Sequence, residues 1–380
     1  MITVNKLLQN QSSYIEDCWE RIEGKLAVTI ERIKDGMPHS TFDGVYDDWQ
    51  DQKSWWTNTF WAGILWLLYR ETKQEHYKEY AQSIEAKMDE VLYGYDKLHH
   101  DVGFMWLLSS VMNYELTGNE QSKQRAMLAA NILSARANIA GGYIRAWNGD
   151  KEGWAIIDCM MNIPLLFWAS KMSKDDRFKH IGIMHADKTM NHFVREDGSV
   201  HHIVSFDPSN GEVLDTPRGQ GYDSGSSWSR GQSWAVYGFV QAYQWTGKQE
   251  YLHSAKRIAH YVLTCLSQTG YVPPCDYRQP AESSLLDSSA GAILACGLIE
   301  IAKSVPEAEK ILYLQGAISI LKALDTQCGV WDLSDEALLT NATSAYHPGA
   351  FKRAVIGNGA LIYGDYYFVE AICKLKEMMK

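Results

Sequence analysis

Two aspartates in this 380-residue chain stand where a carboxyl group could handle protons: Asp101 in HHDVGF and Asp158 in IIDCMMN. Asp158 is set among Ile156, Ile157 and Met160, where an ionised carboxylate is costly unless it serves a purpose. Burial of that kind and a second carboxylate close by both raise a carboxyl pKa, which suits a general acid working near neutral pH. The bland alternative is an N-cap, since an Asp at a helix start most often accepts bonds from free backbone N–H groups. Asp287, in LLDSSAG, fits that role better. His99–His100 and His201–His202 raise the question of a metal, but neither pair has the HExxH or separated-ligand spacing of a metal site. No metal and no cofactor is therefore expected. The Ser-Gly-Ser stretch at 224–226 reads as loop. Fourteen Trp and 21 Tyr can fill a core, and they are also the types that stack on sugar rings.

Something must bring those aspartates together, and a degenerate repeat does it. Each unit has a nearly all-apolar helix, a short polar turn, then an amphipathic helix. The turns read ETKQEHY, LTGNEQS, MSKDDRF, WTGKQEY and KSVPEAE, with steps of 45, 56, 73 and 58 residues between Thr72, Thr117, Ser173, Thr246 and Ser304. The apolar helices are expected near 57–70, 101–116, 158–171, 230–245 and 288–303, and helices apolar all round are buried. An amphipathic helix near 13–34 lacks an inner partner and an apolar one near 358–376 lacks an outer one. Joined, they make the sixth pair. The expected fold is all-α, an (α/α)6 barrel of six inner and six outer helices, forming a single domain over residues 1–380. An open solenoid would carry a polar capping repeat at its end, and 358–376 is not polar.

In such a ring the inner helices run the same way and their N-termini converge on one face. That gathers Trp55, Trp56, Asn58, His100, Asp101, Asp158, Asn162, Trp228, Arg230, Gln232, Asp287 and Asn358. Aromatic walls with a few converging polar groups describe a sugar site. The longest step holds a Gly- and Ser-rich surplus at 194–229, in which GSVHHIVSF could form a short strand. Ordered loops of that length are often functional.

Composition excludes other classes. A formal charge of −10 argues against nucleic acid, which needs a basic surface. No stretch approaches the ~20 apolar residues of a membrane span, and no secretory signal stands at the N-terminus. Cys18, Cys159, Cys265, Cys275, Cys296, Cys328 and Cys373 are scattered without a CxxC pair, the pattern of free thiols in a reducing compartment. A cytoplasmic protein is expected. Its oligomeric state is not legible.

The segments HHDVGF, AWN (146–148), IIDCMMNIPLLFWAS, QGYDSGSSWSRGQSWAVYGF and GDYYFVEA, in this order, resemble glycoside hydrolase family 88, the unsaturated glucuronyl hydrolases. The likeness runs from about Trp55 to Ala371. It implies the same barrel and a substrate partner: an oligosaccharide ending in the 4,5-unsaturated uronic acid that polysaccharide lyases leave. It also implies hydration of the C4=C5 vinyl ether, not attack at the anomeric carbon. By match to the motifs, Asp158 would be the general acid/base and Asp101 its partner. Substrate contacts would come from Trp56, Trp147, His202, Gln220, Trp228, Arg230 and Trp234, with Asn58 at its helix start beside them. Arg230, His202 and the helix N-termini would hold the substrate carboxylate. The chain departs from the family pattern at TPRGQGY, where Arg218 and Gly219 precede Gln220. It departs again at 343–353, TSAYHPGAFKR, where Ser344, Lys352 and Arg353 stand in place of a sulfate-binding Ser/Lys cluster. An unsaturated rhamnogalacturonyl hydrolase on the same fold and a non-enzymatic helical toroid are the alternatives. An inverting glucanase would prefer Glu as its acid, and no Glu stands at the six helix starts.

Overall fold

Polar turns of the repeat work because their third residue can leave the helix. The inner helices α2 (Phe60–Thr72), α6 (Met112–Thr117), α8 (Pro164–Ser173) and α10 (Ser229–Thr246) stop on left-handed residues: Lys73, Gly118, Lys174 and Gly247. That conformation closes a helix C-terminus. Asn119 and Asp175 then cap the next helices, accepting from Ser122 N–H and Arg177 N–H. The computed structural model describes residues 3–349, 355–357 and 359–380.

The remaining helices in chain order are α1 (Val4–Ile33), α3 (Glu75–Lys87), the short α4 (Asp89–Gly94), α5 (Val102–Trp106), α7 (Glu120–Ser134) and α9 (Asp176–Phe193). After them come α11 (Gln249–Leu266), α12 (Ser288–Ser304), α13 (Glu307–Gln327) and α14 (Ile362–Met379). A π-helical turn, Leu107–Val111, joins α5 to α6 as one inner element. Helix α2 packs on α14, α14 on α12 and α12 on α10. Helix α10 packs on α8 and on the 3-10 turn Ile157–Met161 before it, and that turn meets α5, whose continuation returns to α2. The ring is closed, and with α1, α3, α7, α9, α11 and α13 outside it the fold is an (α/α)6 barrel. Helix α1 lies against α14, as the sixth-pair argument requires.

Burial explains the two layers. Every residue of α12 from Ser288 to Ala302 is buried. In α11 the buried set is Tyr251, Leu252, Ser254, Ala255, Ile258, Ala259, Val262 and Leu266, one face of an amphipathic helix. Three boundaries differ from expectation. Helix α1 begins nine residues early, at Val4 rather than 13, because Thr3 caps it and Leu7 and Leu8 are buried. The last inner helix begins at Ile362, and Asn358 lies outside the described residues. The third inner helix starts as a 3-10 turn and becomes α-helical only at Pro164, a residue suited to a first helical position.

Small sheets decorate one end. Hairpins β1 (Thr41–Phe42)–β2 (Val45–Tyr46) and β3 (Ala137–Asn138)–β4 (Tyr143–Ile144) are two-stranded. The antiparallel sheet β5 (Trp154–Ile156), β6 (Ile203–Phe206), β7 (Val213–Asp215) draws β6 and β7 from the surplus of the longest repeat step, and β6 is the strand anticipated within GSVHHIVSF.

One contact decides how closely Asp101 and Asp158 can approach. A Cβ on Gly103 would collide with the Asn162 backbone, so α5 and the turn that carries Asp158 touch through bare backbone. Gly103→Ala is expected to cost about 1–3 kcal/mol as overpacking, read as a melting point lower by several degrees. A melting point equal to the parent's would show that the two segments are not tightly apposed.

Candidate active site

Five of the six inner helix starts open onto one cavity of about 660 Å³. Its wall includes Trp55 and Trp56 before α2, His99, His100 and Asp101 before α5, and Ile156 and Asp158 before α8. Trp228 and Arg230 at α10 and Tyr363 at α14 add two more starts, while the α12 start at Asp287 and Ser288, expected beside them, contributes no wall residue. Loop segments add Trp147, Trp154, His202, Gly219, Gln220 and Ser344. The two aspartates, fifty-seven positions apart in the chain, face the same space.

Neither aspartate is a cap. Asp101 occupies the N-cap position of α5 and Asp158 the first 3-10 turn, yet no side-chain capping bond forms at either start. Asp287 does cap, accepting from Ala290 N–H at 3.4 Å. Asn162 stitches the pair together. Its Nδ2 donates to Asp101 Oδ1 (3.3 Å) and to the Asp158 carbonyl (3.1 Å), while its Oδ1 accepts from Phe104 N–H (2.7 Å).

Burial and mutual repulsion set the charges. Asp158 keeps a side-chain exposure of 16% toward the cavity. Its carboxyl is pushed up to about 8, first by burial and then by the charge of Asp101, against the pull of Arg230. Burial also raises Asp101, but His99 and the Asn162 bond pull it back. Asp158 is therefore the protonated member at neutral pH and Asp101 the better candidate for the ionised one. The imidazoles are neutral: burial brings His99 down to about 4 and His100 and His202 to about 3.

Hydrogen bonds assign opposite tautomers to two of these rings. His100 Nδ1 meets the Ala146 carbonyl at 2.8 Å, so it carries the proton and Nε2 is a bare acceptor, 3.2 Å from Asp101 Oδ1. His202 Nδ1 accepts from Gln220 N–H at 2.9 Å, which leaves Nε2–H as a donor, 3.7 Å from Asp158 Oδ1. Neither Nε2, nor Asp158 Oδ1, nor Trp228 Nε1 has a hydrogen-bond partner among the described residues. These are the atoms available to a ligand.

Other candidates find different employment. Arg230 lines the cavity, but its Nη1 is bonded to Asp287 Oδ2 (2.5 Å), Ser289 Oγ (3.2 Å) and the Thr343 carbonyl (3.0 Å), and its Nη2 to the Ser344 carbonyl (2.6 Å). Its charge is compensated and its fork ties α10 to the C-terminal loop. Asn58 and Trp234 are fully buried behind the wall. Asn58 Nδ2 donates to the Gln52 carbonyl (2.9 Å), and Trp234 packs on Phe104 and Tyr367 with ring centroids 5.1 and 5.4 Å away. Gln232 bonds both backbone groups of Val200, away from the cavity. Trp56, Trp147, Gln220 and Trp228 are on the wall as expected. Lys352 and Arg353 lie outside the described residues.

Tyr363, Trp154 and Lys151 were not singled out from sequence. Tyr363 sits one residue before the GDYYFVEA segment, and its ring lies 5.0 Å from that of Trp56. Lys151 rests over Trp154 at 4.2 Å. Ligand-type atoms of His99, His100 and Asp101 come within 4.8 Å of one another. We read this group as proton-handling, since Asp101 also accepts from Asn162 and its environment raises a carboxyl.

Comparisons with known proteins agree with this architecture. The family model for Glycosyl Hydrolase Family 88 matches residues 29–353. An unsaturated glucuronyl hydrolase of Bacillus sp. (strain GL1) is 36% identical over 371 residues, 94% of this chain and 97% of that protein. An unsaturated chondroitin disaccharide hydrolase of Streptococcus pyogenes serotype M1 is 36% identical over 328 residues, 84% of this chain and 80% of its own length. The crystal structure of the unsaturated glucuronyl hydrolase responsible for glycosaminoglycan degradation from Bacillus sp. GL1 superposes with a TM-score of 0.88 at 33% identity. It covers 95% of this chain and 97% of that one.

Proposed function

The chain belongs to glycoside hydrolase family 88, and on that premise we propose how it acts, with Asp158 as the general acid/base and Asp101 as its partner. It is a glycoside hydrolase that releases 4,5-unsaturated uronic acid from the non-reducing end of lyase-generated oligosaccharides, glycosaminoglycan fragments among them. The observation that carries the assignment of roles is two buried carboxyls facing one aromatic-walled cavity, with Asp158 raised by burial and by the Asp101 charge.

Protonation of the vinyl ether comes first. Asp158 gives its proton to C4, and the ring oxygen shares the positive charge that develops at C5. Ionised Asp101 stabilises that charge. Water adds to C5 and its proton returns to Asp158. The resulting hemiketal opens to a keto acid, and the C1–O bond to the leaving sugar then breaks. His202 Nε2–H and Trp228 Nε1–H are donors for substrate oxygens, His100 Nε2 is an acceptor for a sugar hydroxyl, and Trp56 and Trp147 supply ring faces. Gln220 and Arg230 hold the wall, with Asn58 and Trp234 packed behind it. Residues 1–380 act as one barrel domain, and seven cysteines without a disulfide support a cytoplasmic setting. No helix among the described residues is long and apolar enough to cross a membrane.

Ultraviolet absorbance of the conjugated double bond tests the reading. It should disappear with at least one unsaturated disaccharide derived from chondroitin, hyaluronan or heparin. A rhamnose-linked substrate consumed in preference would favour the rhamnogalacturonyl alternative, and no loss with any of them would sink the assignment. Turnover should also fall as pH rises through about 8, where Asp158 loses the proton it must donate. A profile flat to pH 9 would take the acid role from Asp158.

A further inference from the structure

Resting on that reading, we propose that Arg136 is a positioning residue: a guanidinium clamp that locks the His99–Asp101 turn to the Trp147 segment and keeps Asp101 the ionised member of the carboxyl pair. Arg136 lies outside the cavity wall, between α7 and β3. Its Nη1 donates to the Leu98 carbonyl (3.3 Å) and Asn148 Oδ1 (2.8 Å), its Nη2 to the Ala146 carbonyl (3.1 Å) and its Nε to the Arg145 carbonyl (3.1 Å). Leu98 leads into the turn that carries His99, His100 and Asp101, while Ala146 and Asn148 flank Trp147. One rigid fork thus spans both segments.

The Ala146 carbonyl is where the clamp reaches the chemistry. It accepts from Arg136 Nη2 and also from His100 N–H (3.1 Å) and His100 Nδ1 (2.8 Å). Arg136 therefore shares the acceptor that fixes the position of the His100 ring beside Asp101. Asn148 closes the same loop by donating to the Asp96 (3.3 Å) and Leu98 (3.1 Å) carbonyls.

Electrostatics gives the clamp a second role. The oxygens that Arg136 meets belong to carbonyls and an amide, so its half-buried charge is not cancelled by a carboxylate within bonding distance. Around Asp101 stand His99 and His100 on its own turn and Arg136 on the β3 side. Asp158 and Cys159 face it from the 3-10 turn, with His202 and Arg230 beyond Asp158. Both imidazoles beside it are neutral, and burial keeps the Cys159 thiol protonated. Burial raises the Asp101 carboxyl, His99 and the Asn162 bond lower it, and the Arg136 charge adds to that lowering; after burial, the same charge also disfavours protonation of His99 and His100. Two carboxyls sharing one proton need such a bias to hold it on the right one.

Arg136→Gln and Arg136→Lys in the full chain separate the two roles, with kcat and KM followed against pH on a disaccharide that the parent consumes. Gln removes the charge, so Asp101 ionises at higher pH and the acidic limb of kcat/KM should move up by roughly 0.5–1 unit, with turnover at least about tenfold lower. Lys keeps the charge but not the fork, so the limb should stay while kcat/KM falls about tenfold. Parent-like rates in either variant overturn the proposal, as does an equal loss in both with the limb unmoved. If the Gln variant does not fold, a shifted limb or undiminished turnover in the Lys variant overturns it alone. A parent protein inactive on every substrate overturns the reading beneath it instead, and this inference with it.

Discussion

Asp158→Asn should leave the barrel intact and reduce kcat by roughly 10²–10⁴-fold, the usual contribution of a positioned proton donor. The amide fills the same volume beside His202 but has no proton acidic enough for carbon. Loss of ultraviolet absorbance over hours rather than minutes would be the readout. The same variant makes a second, opposite prediction for stability. Asp158 holds its proton to about pH 8 in the fold, against about 4 when unfolded. Between those values the folded state binds more protons than the unfolded one, so the stability contributed below pH 4 is lost as pH rises toward 8. Asn does not titrate. Its melting point should therefore exceed the parent's at pH 8 and the gap should close toward pH 4. A variant that is both active and no more stable would remove Asp158 from the acid role.

Asp101→Asn carries the second large effect. Turnover should drop by about 10²-fold or more, because the charge that answers the developing cation is gone. Since Asp101 is one of the two causes that hold the Asp158 proton, its loss should move the basic limb of kcat to lower pH. Asn can still accept from Asn162, so the fold of the turn survives. An unmoved basic limb would mean that burial alone tunes Asp158 and that the two carboxyls do not communicate.

Much of this was written in local patterns. The polar turns told where helices stop, because Lys73, Gly118, Lys174 and Gly247 take the left-handed conformation that ends an inner helix. Convergence of helix starts followed from ring closure, and it brought Asp101, Asp158, Trp56, Trp228 and Arg230 to one cavity. What stayed hidden depends on orientation rather than order. Asn58 and Trp234 sit at helix starts but are turned into packed core. Arg230 lies on the wall, but its pairing with Asp287 at 2.5 Å cannot be read from the order of residues. The likeness to glycoside hydrolases named the wall residues, but it was silent on Arg136, whose bonds run to carbonyls from Leu98 to Ala146 that no side-chain pattern advertises.

The seam between α1 and α14 has a consequence for how the protein comes into being. Tyr363 belongs to the last helix start, and the Thr343 and Ser344 carbonyls that receive Arg230 come late in the chain. A nascent polypeptide can stack its early helical hairpins as they emerge, but the toroid stays a horseshoe until α14 is made and docks between α2 and α12. Catalytic competence thus waits for the closing helix, and a ribosome stalled short of it leaves an open arc with exposed oily flanks, a natural client for chaperones.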